Sequence, residues 1–255
     1  MGKEVAVKEN KEVQQQLPQE LMDWGDTGVN VGQDMLLPRL LVMQPTSDLV
    51  TDGQAVMGEF RNSVTGERLG SIIEPVEVIC FHVVKSLDIN RLDEGGQYLW
   101  DRNIPLVENI MSPDYNDNLP WEGKDEDGTP IKRIRRLDFF CLIRKDLASG
   151  AAMPYTLSFK STSMKEGRKM LNQMYVRNKA AKVPPCMYSF ILAGTKEKND
   201  KGTFVKPNVS LGTLINVDEL RTTKYWYDLV AKGQVKAELT GETIKDVDDT
   251  GLGEF

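Results

Sequence analysis

"SIIEPVEVICFHVVK" (71–85) carries apolar residues on both parities, with Val76, Val78, Cys80 and Val84 on one and Ile79, Phe81 and Val83 on the other. A strand with that pattern has to be covered on both faces, so the segment predicts a central, doubly buried strand. Upstream, "MLLPRLLVMQP" (35–45) opens the apolar part of the chain, and "GEFRNSVTGERLG" (58–70) predicts two short strands turning at Thr65 and Gly66. The Gln-, Glu- and Gly-rich residues 1–34 predict a flexible arm.

Downstream, residues 88–130 form a polar insertion rich in Asp, Asn, Gly and Pro that carries Trp100, Tyr115 and Trp121. Its length predicts a functional loop. "IRRLDFFCLIRKD" (134–146) and "MPYTLSFKS" (153–161) then predict a hairpin across "LASGAA". "SMKEGRKMLNQMYVRNKAAK" (163–182) predicts a helix, with Ser163 and Glu166 spaced as a capping box and Met164, Gly167, Leu171, Met174 and Tyr175 along one face. "CMYSFILAGT" (186–195) and "TFVKPNVSLGTLIN" (203–216) predict a second hairpin about "NDKG", with Pro207 marking a sheet edge. A last helix runs from an Asp218 cap to Gly233, packing through Leu220, Trp226, Leu229 and Val230, and residues 234–255 are an acidic tail.

The order is therefore strand, long loop, strand, strand, helix, strand, strand. That is the order of an OB-fold, whose second and third strands and first and fourth loops hold oligonucleotides. The expected fold is α+β and mainly β: an OB-fold-like five-stranded barrel over residues 35–233, with a helix between strands 3 and 4, a long loop between strands 1 and 2, and a C-terminal helix.

Composition narrows the chemistry. In 255 residues, 40% hydrophobic and 27% charged, no apolar run is long enough to span a membrane, and no apolar stretch follows the first lysines as in a secretory signal. A soluble, cytoplasmic protein is expected, in the host cytoplasm if the chain is phage-encoded. Cys80, Cys141 and Cys186 are dispersed inside apolar runs and read as buried thiols. His82 is the only histidine, which argues against zinc sites and Ser-His catalysis, and its apolar neighbours give it a structural role. No phosphate-cradling glycine motif is present, so no cofactor is expected. "PDYNDNLPWEGK" (113–124) contains the letters of a metal-dependent nuclease motif, but its glycine and prolines predict a polar loop where that chemistry needs a rigid strand.

The net charge of -6 conceals a dipole. Thirteen cations, Lys132, Arg133, Arg135, Arg136, Arg144, Lys145, Lys160, Lys165, Arg168, Lys169, Arg177, Lys179 and Lys182, stand against only Asp138, Asp146 and Glu166, so that block carries +10. It falls on the strands and helix that line an OB-fold groove. Single-strand binding needs cations for phosphates and rings for bases. The "KRIRR" arginines and lysine are read as phosphate contacts, Trp100 and Trp121 as base platforms, and one of Phe139 and Phe140 as exposed, Phe139 being read as DNA-binding. By parity Tyr155 and Phe159 belong to the core.

The end of the chain, "KDVDDTGLGEF" (245–255), is acidic, contains glycine and finishes on Phe. It resembles the C-terminal peptide of single-stranded DNA-binding proteins, bacterial and phage, with the phage type the nearer comparison. It departs from the bacterial pattern in having "TGLGEF" in place of an aspartate run and proline. The resemblance implies a non-catalytic protein that coats single-stranded DNA in replication or recombination. Asp246, Asp248, Asp249 and Glu254 would supply charge for docking partner enzymes, with Phe255 as the anchor. Homo-oligomers fit the same picture. The rival expectations are a virion or scaffold assembly protein without DNA affinity and, further off, a metal-dependent nuclease.

Overall fold

The computed structural model describes residues 37–150, 152–199 and 202–232. It is α+β and mostly antiparallel. Strands β1 (Leu40–Val42), β2 (Glu59–Asn62) and β3 (Arg68–Ser71) form a small sheet, with the helical turn α1 (Asp48–Thr51) between the first two. The turn at Thr65 and Gly66 is present, with Gly66 in the left-handed region at φ 70°.

The main sheet is built on β4 (Val76–Leu92) and β7 (Pro130–Ile143), which pair from Val78↔Ile143 to Arg91↔Ile131. On β4, β5 (Tyr98–Pro105) takes the far end of the free edge and β9 (Tyr188–Asn199) the near end. On β7, β6 (Glu122–Lys124) pairs with its start and β8 (Pro154–Lys160) with its second half. β10 (Gly202–Leu214) completes the hairpin with β9. The order through the body is thus β8-β7-β4-β9-β10. The insertion at 88–130 is not the loop its composition predicts, because much of it is strand and extends β4 and β7 into a long ribbon.

β4 is buried on both faces, as its pattern requires, but its parity breaks. The register slips between Cys80 and His82, leaving Phe81 as a bulge residue. Before the bulge Val76, Val78 and Cys80 face the main core, while after it Val83 does so and Val84 packs with Ile79 and Phe81 in a second cluster. The main core sets Tyr155, Leu157 and Phe159 against Leu137, Phe139, Phe190 and Val209. The second cluster, on the sheet's other face, joins Phe140 and Leu142 to Leu37, Ile215 and α5 (Val217–Ala231). Phe139 and Phe140 are 0% and 4% exposed, so neither ring is free to meet a base. All three cysteines are buried thiols, and the His82 ring rests against Phe140 and Tyr227, where burial lowers its pKa.

The short helical turn α2 (Arg144–Leu147) stands between β7 and β8; after β8, following Ser161–Ser163, helix α3 (Met164–Asn172) passes through a π-turn at Gln173–Arg177 into α4 (Asn178–Ala180). Gly167 allows α3 to lie directly on the core, since a β-carbon there would sit 2.8 Å from Phe159 Cβ and 3.2 Å from Leu137 Cδ1. The expected capping box does not form. Ser163 instead bonds Lys160, and Glu166 reaches the Val209 N–H of β10 at 3.2 Å while Lys169 donates to the Val209 carbonyl at 2.6 Å. Farther along the same edge the Gln44 amide bonds both backbone groups of Val205 at 2.9 Å, and Pro207 between them has no N–H to offer. No ladder joins β8 to β10 among the described residues, and these side chains occupy the edge a ladder would use. At the other end, α5 is capped by Asn216 with Glu219, two residues earlier than the Asp218 cap predicted.

Candidate nucleic-acid interface

The basic block does not make one surface. Arg133 lies near the start of β7 and Arg144 just past its end, separated by up to about 36 Å of extended chain. Each cation therefore has to be located separately.

At the C-terminal end, Arg144 is a clasp. It donates to Glu219 at 2.7 and 3.0 Å, to Glu77 at 2.7 Å and to the Leu214 carbonyl at 3.2 Å, joining α5, β4 and β10. Lys145 donates to the Leu69 carbonyl at 3.3 Å. In the middle, Arg136 is 4% exposed and lies between Asp138 at 2.8 Å and Asp88 at 3.6 Å, with Ser158 at 3.0 Å. Asn103 and Trp100 close the same buried network by donating to Asp88 at 2.7 and 3.4 Å. Arg136 and Arg144 are consequently structural, and Trp100, placed on β5 with its indole N–H engaged, is half-buried. Cations placed side by side on a strand repel one another, and here the protein's own carboxylates, chiefly those of the insertion, compensate them.

The remaining "KRIRR" members sit where the ribbon leaves the body. Lys132 lies 4.4 Å over the Tyr98 ring and 3.4 Å from Glu122. Arg133 rests on the Gly123 backbone, where a β-carbon would come within 2.4 Å of Nη1, and donates to the Pro120 carbonyl at 3.1 Å. Arg135, 46% exposed, meets Asp117 through its carbonyl at 2.6 Å and its carboxylate at 2.8 Å. Both acceptors belong to the stretch from Leu106 to Trp121, which Asn116 anchors by accepting from Val107 N–H at 2.7 Å and donating to the Pro105 carbonyl at 2.9 Å.

Between this stretch, the ribbon and the start of α3 lies an open pocket of about 360 Å³. Leu87, Leu119, Ile134 and Met164 supply apolar walls, and Trp121, Arg133, Arg135, Asn116, Asp117 and Ser161 supply the ring, charges and polar groups. Trp121 is 45% exposed. Ser161 turns the chain from β8 toward α3 at φ 47°, an uncommon conformation for a non-glycine residue. From the first turns of α3, Lys165 and Arg168 are exposed, Lys160 just before them is half-buried, and Lys169 is committed to β10 and Glu166. Arg177 stacks 4.7 Å from the Tyr188 ring. The structure thus brings together Trp121, Arg133 and Arg135 with the start of α3, and sets Phe139, Arg136, Arg144, Lys145 and Trp100 apart from them. Asp117 and Leu119 carry no signal in the sequence, and Met164 reads there only as a helix packing residue, because only the fold-back of the insertion gathers them.

Glu122-Gly123-Lys124 is strand β6 and not loop, yet Glu122 is spent on Lys132 and no group of three or more His, Cys, Asp or Glu able to hold a metal occurs among the described residues. No helix among them is long and apolar enough to cross a membrane. The tail residues Asp246, Asp248, Asp249, Glu254 and Phe255 lie outside the described residues, as does the arm before Leu37.

Fold and site define a mainly antiparallel α+β protein with a tryptophan- and arginine-lined pocket where a β-ribbon leaves its body. The chain belongs to the family described as Pam3 phage gp34-like protein, which matches residues 8–236. No curated protein and no solved structure matches it.

Proposed function

We propose that this phage-family protein binds single-stranded DNA with little sequence preference, in replication or recombination, and that its acidic tail docks partner proteins. The observation that carries the reading is the pocket, where a half-exposed indole stands beside two arginines at the root of the ribbon. Aromatic platforms for bases and cations for phosphates are the two requirements of sequence-tolerant single-strand binding. Topology supports it. The order β8-β7-β4-β9-β10, with α3 between the third and fourth of these strands in sequence, is compatible with an OB-fold-like arrangement, although β8 and β10 do not pair among the described residues and β1–β3, β5 and β6 are additional strands. In that frame the strand-bearing insertion takes the place of the connection between the first two of these strands, where OB-folds carry one of the loops they use for oligonucleotides.

The test is fluorescence anisotropy of labelled oligo-dT against a duplex of equal length, with the full chain and a version ending at Thr243. Strong preference for the single strand, steep weakening with salt, and tighter binding after truncation are expected. Absence of binding at low salt overturns the reading and favours assembly with other proteins, for which Val176, Val217 and Tyr225, exposed by 66, 63 and 59%, offer apolar contact.

A further inference from the structure

The geometry points to the pocket between the insertion and α3 as a one-nucleotide subsite in which Asp117 occupies the phosphate position until DNA displaces it. This rests on the single-strand reading above and adds a location, an occupant and a competitor. A volume of about 360 Å³ is at the low end for a ligand cavity, room for about one base with its sugar. It offers one ring face, Trp121, and two guanidinium groups.

Both guanidinium groups are already met by oxygens of one stretch of chain. The Asp117 carboxylate lies 2.8 Å from Arg135, the Asp117 carbonyl 2.6 Å from the same group, and the Pro120 carbonyl 3.1 Å from Arg133. A carboxylate on arginine at this distance reproduces the charge-assisted contact a phosphate oxygen makes. The pair is easily exchanged, since Arg135 is 46% and Asp117 33% exposed and water screens their attraction. The stretch need not unfold to release it, because Asn116 fixes the backbone through Pro105 and Val107 independently of Arg135. A phosphate therefore replaces one side chain while Trp121, on the far side of Pro120, stays in place to stack the base.

The experiment uses the full-length protein and fluorescein-labelled (dT)20, following anisotropy and quenching of tryptophan emission, with thermal melts to show that each variant folds. Asp117→Asn is expected to tighten binding by about two- to fivefold, the size of one exposed ion pair. Arg135→Gln weakens binding, and adding Asp117→Asn to it brings no further tightening. Trp121→Ala costs at least about fivefold, the smallest loss expected of a base platform, and removes the quench, while Trp121→Phe retains most of the affinity. If the native protein binds (dT)20 but Asp117→Asn leaves affinity unchanged, or tightens it equally with and without Arg135, the competitor role is wrong while single-strand binding stands. If Trp121→Ala binds normally, the subsite is elsewhere. If no variant and no native protein binds, the single-strand reading itself fails and the subsite falls with it.

Discussion

Replacing Arg144 by glutamine separates a structural clasp from a phosphate contact. The side chains of Arg144 and Glu219 are 19% and 13% exposed, so their pair is sheltered, whereas Glu77 is 36% exposed and its pair counts at the surface value. A sheltered pair lies between the surface limit of at most about 1 kcal/mol and the buried limit of about 3–5 kcal/mol, giving about 2 kcal/mol for the clasp as a whole. For a chain of this size that is a fall in Tm of about 4–8 °C. The pH dependence is the sharper signature. Burial pushes the Glu77 and Glu219 carboxyls up, but hydrogen bonds outweigh it, from Ser189 and Arg144 at Glu77 and from Arg144 and the Asn216 N–H at Glu219, and both are held below the usual range. Carboxyls depressed in the folded state stabilise it above their unfolded value of about 4.3, and that stability is lost as pH falls through the folded values. Urea melts of native and Arg144→Gln protein should differ by about 2 kcal/mol at pH 7 and converge below about pH 4. Equal stability at pH 7, or a gap that ignores pH, refutes the clasp. Lost DNA affinity at unchanged stability would return Arg144 to the phosphate contacts.

Three further outcomes follow from packing. Gly167→Ala forgoes the usual helix gain of about 1 kcal/mol and lowers Tm, because the added methyl lies 2.8 Å from Phe159 Cβ and overpacking costs about 1–3 kcal/mol; differential scanning calorimetry reads the sign. Phe139→Ala destabilises by about 3–5 kcal/mol in urea melts, as a core ring 0% exposed must and a surface base platform would not. Glu166→Ala leaves the Val209 N–H without its acceptor on a free strand edge, and light scattering should show self-association that grows with concentration while the native protein shows less.

The strand order was legible because each strand of the body announces itself by its own apolar run, and the inward parity of Tyr155 and Phe159 follows from two-residue alternation alone. Alternation could not foresee the bulge at Phe81, which moves Val84 off the face it shares with Cys80 in the sequence. The ribbon strands β5 and β6 were hidden because ion pairs hold them: Arg91 and Arg102 fasten the ribbon to Asp125, and "DRNIP" has little apolar surface to show. The capping-box spacing at Ser163 and Glu166 misled for a related reason, since Glu166 satisfies a distant strand edge that local sequence does not reveal. At the site, the cations were visible but not their fates. Arg136 and Arg135 are neighbours in the chain, and pleat alone sends the first into a buried carboxylate network and the second to the rim of the pocket.

The most direct test of single-strand binding at this pocket is ultraviolet cross-linking of the full-length protein to oligo-dT, with the adduct mapped by mass spectrometry. Thymine should attach to the peptide carrying Trp121, with weaker adducts around Arg133 to Arg135 and Ser161 to Arg168. Adducts confined to α5, or none at a DNA concentration that saturates anisotropy, would contradict it.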